Sequence, residues 1–259
     1  MTFPDHFSVV AAQYATSRPH YPDPLFAWLA SQAPSNALAW DAGCGNGQAS
    51  IGLAPHFTRV IATDASAQQI ANAERRSNIQ YAVHAEQNQD FEAGSVDIVT
   101  VAQALHWFDR PKFYAEVRRV LVPDGVLAVW TYEHARIDPA TDAAVHAWYC
   151  GALDAYWPPE RKHVETEYRD IGFPYARIPA PAFDMSVHWS REQFVAYLRT
   201  WSAVKEYVRR TGGDAMELVL PALRAAWPDD NVRKVCWPLM VLAGRTRAVI
   251  HPSYNMNRT

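Results

Sequence analysis

Short apolar runs alternate with helix-like segments over the first half of the chain. Runs at residues 37–42, 59–63, 79–84, 96–101 and 126–131 read as strands. The run at 96–101 is almost continuously apolar, the kind found in a parallel sheet covered on both faces. Helical spacing fills the gaps. Residues 7–33 read as a helical lead-in interrupted by a turn at 21–24, after which Leu25, Phe26, Trp28 and Leu29 form one apolar face. A short helix over 48–54 is closed by Pro55, and Ser66 with Gln69 makes a capping box that opens the next one. Phe113, Val117, Val120 and Leu121 share a helix face after Pro111. Strands alternating with helices predict an α/β fold with a doubly wound, mostly parallel sheet.

After Tyr132 the pattern changes. Residues 133–182 are rich in proline and tryptophan, with a short helical piece over 142–154. Strict alternation at 183–189 reads as a strand. A capping box at Ser190 and Gln193 then opens one helix carrying Phe194, Tyr197, Leu198, Trp201, Val204 and Val208, ended by Gly212 and Gly213. Pro221 should break a further helix over 214–227. A last strand is expected over 237–243, and the tail from about His251 is expected to be unstructured. The chain divides accordingly into a core with an N-terminal lid segment (1–132), a mainly helical substrate cap that includes a core strand near 183–189 (133–230), and a last strand with the tail (231–259).

The candidate chemistry centres on Asp41-Ala42-Gly43-Cys44-Gly45-Asn46-Gly47. An apolar strand ends in an acid, and three glycines follow at alternate positions before a helix. Such a loop lets a ligand approach the backbone closely and presents the N–H groups of a helix start. The dinucleotide fingerprint is G-x-G-x-x-G. Here the spacing is G-x-G-x-G, and the acid before the first glycine suits an ammonium group rather than a phosphate. Asp64 ends the second strand about 20 residues past the loop, where an acid can accept hydrogen bonds from both hydroxyls of a ribose.

This set resembles the first motifs of the class I, Rossmann-like methyltransferases that use S-adenosylmethionine (SAM). The resemblance covers residues 10–132 well and 183–244 more weakly. It implies a seven-stranded sheet whose last strand is antiparallel, with a helical cap inserted after strand five. It implies that Asp41, Gly43, Gly45 and Gly47 hold the methionine end of the cofactor, Asp64 and Ala65 the ribose, and Ala85 and Glu86 the adenine edge. The segment Gln13 to Pro22 is similar to the lead-in of a small-molecule branch that includes trans-aconitate-type carboxyl methyltransferases; there it folds over the cofactor, which points to Tyr14 and Arg18. Gln103 with His106-Trp107-Phe108 resembles the same branch. Methyl donor and acceptor should meet at this end of the fourth strand, where an open α/β sheet binds ligands. His106 is the candidate base for a hydroxyl acceptor; a carboxylate would need none. Trp107, Tyr132, Tyr197 and Trp201 are candidate pocket walls, and Arg18 a candidate partner for an anionic acceptor. The expected product form of the cofactor is S-adenosylhomocysteine (SAH).

Composition narrows the remaining readings. A chain of 259 residues with 49% hydrophobic and 20% charged content is globular. A net charge of −3 leaves no basic footprint for nucleic acid. Three scattered cysteines form neither a disulfide framework nor a metal pair, so no metal and a reducing, cytoplasmic setting are expected. No apolar run is long enough to span a membrane. The partner expected is a small-molecule acceptor, and the chain is expected to act as a monomer or homodimer. The reading is a SAM-dependent methyltransferase that methylates a carboxylate or hydroxyl. The alternatives are an NAD(P)-dependent oxidoreductase, disfavoured by the glycine spacing, and a non-catalytic SAM-binding regulator.

Overall fold

The computed structural model describes residues 19–86, 91–229 and 231–246. Tyr14, Arg18 and the tail from His251 lie outside the described residues. The first half runs α1 (Asp23–Gln32), β1 (Leu38–Ala42), α2 (Gln48–Leu53), β2 (Arg59–Asp64), α3 (Ala67–Ala71), β3 (Ile79–Val83), β4 (Val96–Ala102), α4 (Arg110–Val120) and β5 (Leu121–Thr131). The second half runs α5 (Pro139–Cys150), α6 (Arg161–Glu165), β6 (Ala176–Ile178), β7 (Phe183–Trp189), α7 (Arg191–Leu198), α8 (Ser202–Thr211), α9 (Leu220–Ala226) and β8 (Arg233–Arg245).

The sheet is ordered β3-β2-β1-β4-β5-β8-β6, and β7 also pairs with β8. Strands β1 to β5 are parallel, whereas β8 lies antiparallel to β5. Two apolar cores form on the two sides. Ile98 and Trp130 belong to one, Val99 and Val129 to the other, as the two-residue period of a strand requires. The order reverses between β1 and β4, which opens a crevice beyond their carboxyl ends. A buried acid secures this centre: Asp97 on β4 accepts the backbone N–H groups of Ala37 (3.0 Å) and Leu38 (2.8 Å), which orients the start of β1.

The sheet holds eight strands instead of the expected seven. The extra strand arises from a split. Ile178 pairs with Ala243 and Phe183 with Leu239, so β6 and β7 run along the same edge of β8 with one surplus residue between them. The interruption is Pro179-Ala180-Pro181-Ala182. Prolines donate no N–H to a ladder and are tolerated where a strand breaks.

One further difference concerns a helix, whereas the break expected near Pro221 is present. The helix expected to run through Trp201 is broken there, and α7 and α8 meet at an extended Trp201 (φ −64°, ψ 139°). The indole stacks on Trp148 (5.8 Å) and packs on Trp157 (5.6 Å), a burial that a continuous helix would not give. Pro221 sits in the first turn of α9 after a 3₁₀ turn, where its missing N–H costs no helix bond. Among the described residues, no helix is long and apolar enough to cross a membrane, and no group of three or more His, Cys, Asp or Glu could hold a metal ion.

Candidate active site

The glycine loop leaves β1 and enters α2 with Gly43, Gly45 and Gly47 all at positive φ. Its N–H groups are spent on neighbouring strands. Gly43 and Cys44 donate to the carbonyl of Thr63 (2.7 and 2.9 Å). Gly45 donates to Asp64 Oδ2 (2.8 Å), and Ser66 donates to Asp64 Oδ1 (2.8 Å). The carbonyl of Asp64 in turn accepts the N–H of His84 (3.0 Å). One carboxylate therefore joins the loop to the start of α3, and its residue also binds the chain after β3.

Asp41 is fully buried under this loop. It accepts hydrogen bonds from Ser50 Oγ on α2 (2.6 Å) and Thr100 Oγ1 on β4 (3.1 Å). The two hydroxyls close over the acid, which was expected to lie open to an ammonium group. Burial raises its pKa to about 6, against the opposing effect of the two hydroxyl bonds.

This makes a stability prediction. A carboxyl with a folded pKa above its unfolded value binds protons more tightly in the folded state. Its burial therefore destabilises the fold above about pH 6, and the cost is relieved as pH falls towards 4. Asp41→Asn should raise the unfolding free energy at pH 7.5 by about 2 kcal/mol. The gap between variant and wild type should close by about pH 4. Thermal unfolding at both pH values is the measurement, and an Asn variant less stable at pH 7.5 would show that the charge is better satisfied than its burial implies.

Ala65, Ala85 and Glu86 follow the carboxyl ends of β2 and β3, on the same rim as Asp64. Both alanines are exposed. The remaining candidates gather elsewhere. Gln103, His106, Trp107, Tyr132, Tyr197 and Trp201 line a single cavity of about 110 Å³, beyond the ends of β4 and β5.

Gln103 sits at φ +55°, a left-handed conformation that costs a non-glycine residue about 1–2 kcal/mol. Its backbone donates to Trp130 (2.9 Å), its Nε2 to the carbonyl of Tyr132 (2.9 Å), and its Oε1 accepts from Thr131 Oγ1 (2.7 Å). These bonds hold the end of β4 against that of β5.

His106 lies in the 3₁₀ turn after β4, with Nδ1 hydrogen bonded to Tyr168 Oη (2.8 Å). Burial, with the nearby cations Arg161 and His163, lowers its pKa to about 3, so the ring is neutral at any physiological pH. Tyr168 reaches it from a turn in which Glu167 and Tyr168 both have positive φ (52° and 57°). Burial keeps the Tyr168 hydroxyl protonated.

Two residues at this site, one behind His106 and one in the cavity wall, carried no signal in sequence. Tyr168 and Arg161 both come from the irregular stretch after β5, and Arg161 puts a cation into the cavity wall. A left-handed pair of non-glycine residues is visible only in the folded backbone.

Comparison with known proteins agrees with this architecture. A family profile described as a methyltransferase domain matches residues 40–129, from the strand before the glycine loop to the end of β5. A Dictyostelium discoideum protein that carries a methyltransferase name is 33% identical over 251 residues, covering 94% of this chain and 95% of that one. A solved structure from Anaeromyxobacter dehalogenans, titled a type II methyltransferase, superposes with a TM-score of 0.82 at 46% identity, covering 88% of this chain and 97% of that one. A Saccharomyces cerevisiae protein named as a probable SAM-dependent methyltransferase is 30% identical over 47% of this chain and 45% of its own length. With its loop, acids and strand order in place, the chain belongs to the class I SAM-dependent methyltransferases.

Proposed function

We propose that this enzyme methylates an oxygen of a small-molecule acceptor, with a carboxylate preferred to a hydroxyl. The observation that carries the reading is the state of His106. An imidazole whose conjugate acid is acidified to a pKa of about 3 is a poor base for a hydroxyl. An acceptor at this position must arrive already deprotonated, and a carboxylate does so at neutral pH.

The residues present suit the cofactor. A Cβ built on Gly45 meets nothing within 4 Å, so the loop keeps an open face there. Gln48 Nε2, at the start of α2, is buried without a hydrogen-bond partner and can donate to a ligand. Asp64 stands at the carboxyl end of β2, where a carboxylate can reach the hydroxyls of a ribose, and its bonds to two backbone N–H groups fix it there. We assign the three glycines to the methionine end, with the enclosed Asp41 supporting the loop from beneath, Asp64 and Ala65 to the ribose, and Ala85 and Glu86 to the adenine edge. Bound SAM supplies an activated methyl: the O–CH3 bond forms as the S–CH3 bond breaks, and the sulfonium takes the electron pair to become a neutral thioether. The chain orients the acceptor between the ends of β4 and β5. Its aromatic walls exclude water, and orientation supplies much of the barrier reduction.

The test is transfer of labelled methyl from SAM to a panel of carboxylic acids and matched phenols. We expect base-labile methyl esters, formed at a rate that is flat from pH 6 to 9. Transfer confined to phenols, with a rate that rises with pH, overturns the carboxylate reading.

A further inference from the structure

We propose that Arg161 anchors an anionic group that the acceptor retains through the reaction, and so sets acceptor specificity. The inference rests on the acceptor site proposed above. Arg161 opens α6 and shares the cavity wall with His106 and Gln103. Its guanidinium is held in place from behind. Nε donates to Tyr149 Oη (2.9 Å), and Tyr149 Oη donates to the carboxylate of Glu165. The planar group lies over Trp157 (5.1 Å to the ring centroid) and Tyr149 (5.7 Å). Stacking of this kind suits guanidinium and fixes its plane before any ligand arrives.

The terminal nitrogens are not spent. No carboxylate among the described residues pairs with Arg161, and its one hydrogen bond within them uses Nε. Glu133 is the acid that shares the cavity, and it is paired with His134 (3.0 Å). Nη1 and Nη2 therefore keep the fork that matches a carboxylate in bidentate fashion. Arg161 is half-buried and feels the Glu133 charge across the cavity, but no carboxylate among the described residues reaches the fork itself, so a ligand anion can take that position. The cavity, about 110 Å³, has room for roughly four waters, enough for a carboxylate beside the fork.

The anchored group is distinct from the oxygen that accepts the methyl. A carboxylate bound by a guanidinium fork has one lone pair on each oxygen engaged and its charge largely balanced, which makes it a poorer nucleophile. The reacting oxygen then belongs at the His106 and Gln103 end of the cavity. The acceptor is a small molecule with a nucleophilic oxygen and a separate anionic group.

The anchor can be tested without any methyl transfer. Protein saturated with SAH is titrated, by ligand-observed NMR, with phenylacetate against phenylacetamide and with butyrate against butyramide. Wild type should bind each acid more tightly than its amide. Arg161→Gln should lose that preference by at least tenfold while SAH affinity, measured by calorimetry, is retained. Arg161→Lys keeps the charge without the fork and should fall between; it decides the matter if the Gln variant fails to fold. A wild type without acid preference in either pair, or a folded Arg161 variant that keeps it in full, overturns the proposal. If the preference depends on Arg161 but no methyl ester appears in the labelled screen, the anchor stands and the carboxylate-methylation reading fails.

Discussion

Asp64→Ala should weaken SAH binding by more than a hundredfold. The carboxylate has two roles in this geometry. It receives the N–H groups of Gly45 and Ser66, both at 2.8 Å, and so holds the glycine loop against the start of α3. The same carboxylate is the group assigned to the ribose hydroxyls. Each hydrogen bond to a charged group contributes about 1.5–3 kcal/mol, so losing two ligand bonds alone accounts for the expected factor. The loop's lost support adds to it. Asp64→Asn keeps one carbonyl acceptor and should fall between wild type and the alanine variant. Calorimetric titration with SAH reads all three. Wild-type affinity in the alanine variant would remove Asp64 from the cofactor site.

Gly47→Ala should destabilise the fold by about 2–4 kcal/mol and should abolish cofactor binding with it. Gly47 caps the start of α2 at φ +87°, where an L-residue is strained by about 1–2 kcal/mol. The added Cβ would also overlap the hydroxyl of Tyr81, with the ring carbons Cζ and Cε1 only 2.9 and 3.0 Å away. Tyr81 is half-buried at the centre of β3, and its hydroxyl bonds the carbonyl of Glu74 (3.0 Å), so it cannot move aside cheaply. Tyr81→Phe in the same background should restore part of the loss, because it deletes the oxygen but leaves the ring and the φ strain. Gly45→Ala is the control. It carries a positive φ but its Cβ meets open space, so its stability should fall by about 1 kcal/mol while SAH affinity falls far more. Thermal unfolding paired with SAH titration separates the two glycines. Equal stability losses would mean that Tyr81 does not constrain the loop.

The class of fold and the place of the cofactor were legible for a local reason. The apolar runs that became β1, β4 and β5 encode burial on both faces, and each of the five parallel strands is complete within a few residues. Ser66 and Ser190 each accept the N–H three residues on; the Gln193 side chain completes the capping box at Ser190, whereas Gln69 does not return the bond at Ser66. The glycine spacing is equally local, since positive φ at alternate positions is a property of one short loop. Asp64 could be placed because a strand–loop–helix–strand unit has a narrow range of lengths.

What escaped the sequence depends on segments distant in the chain. The strand over Ala176–Ile178 is too short to show a period, and it exists because β8 offers it an edge. The break at Trp201 follows from indoles on α5 and after it, not from any helix breaker in the helix itself. Asp41 was visible as an acid, but its enclosure required Ser50 and Thr100 to converge from α2 and β4. Tyr168 meets His106 across 62 positions of sequence, and burial, with Arg161 and His163 nearby, makes the imidazole a weak base. Arg161 reads in sequence as an ordinary surface arginine, and only packing on Tyr149 and Trp157 turns it into the cavity. The sequence by itself therefore determined the sheet, the loop and the cofactor, because periodicity and φ preference act within a few residues. The tertiary structure alone decided the charge and shape of the acceptor cavity, because desolvation and side-chain direction are set by whichever distant elements pack together.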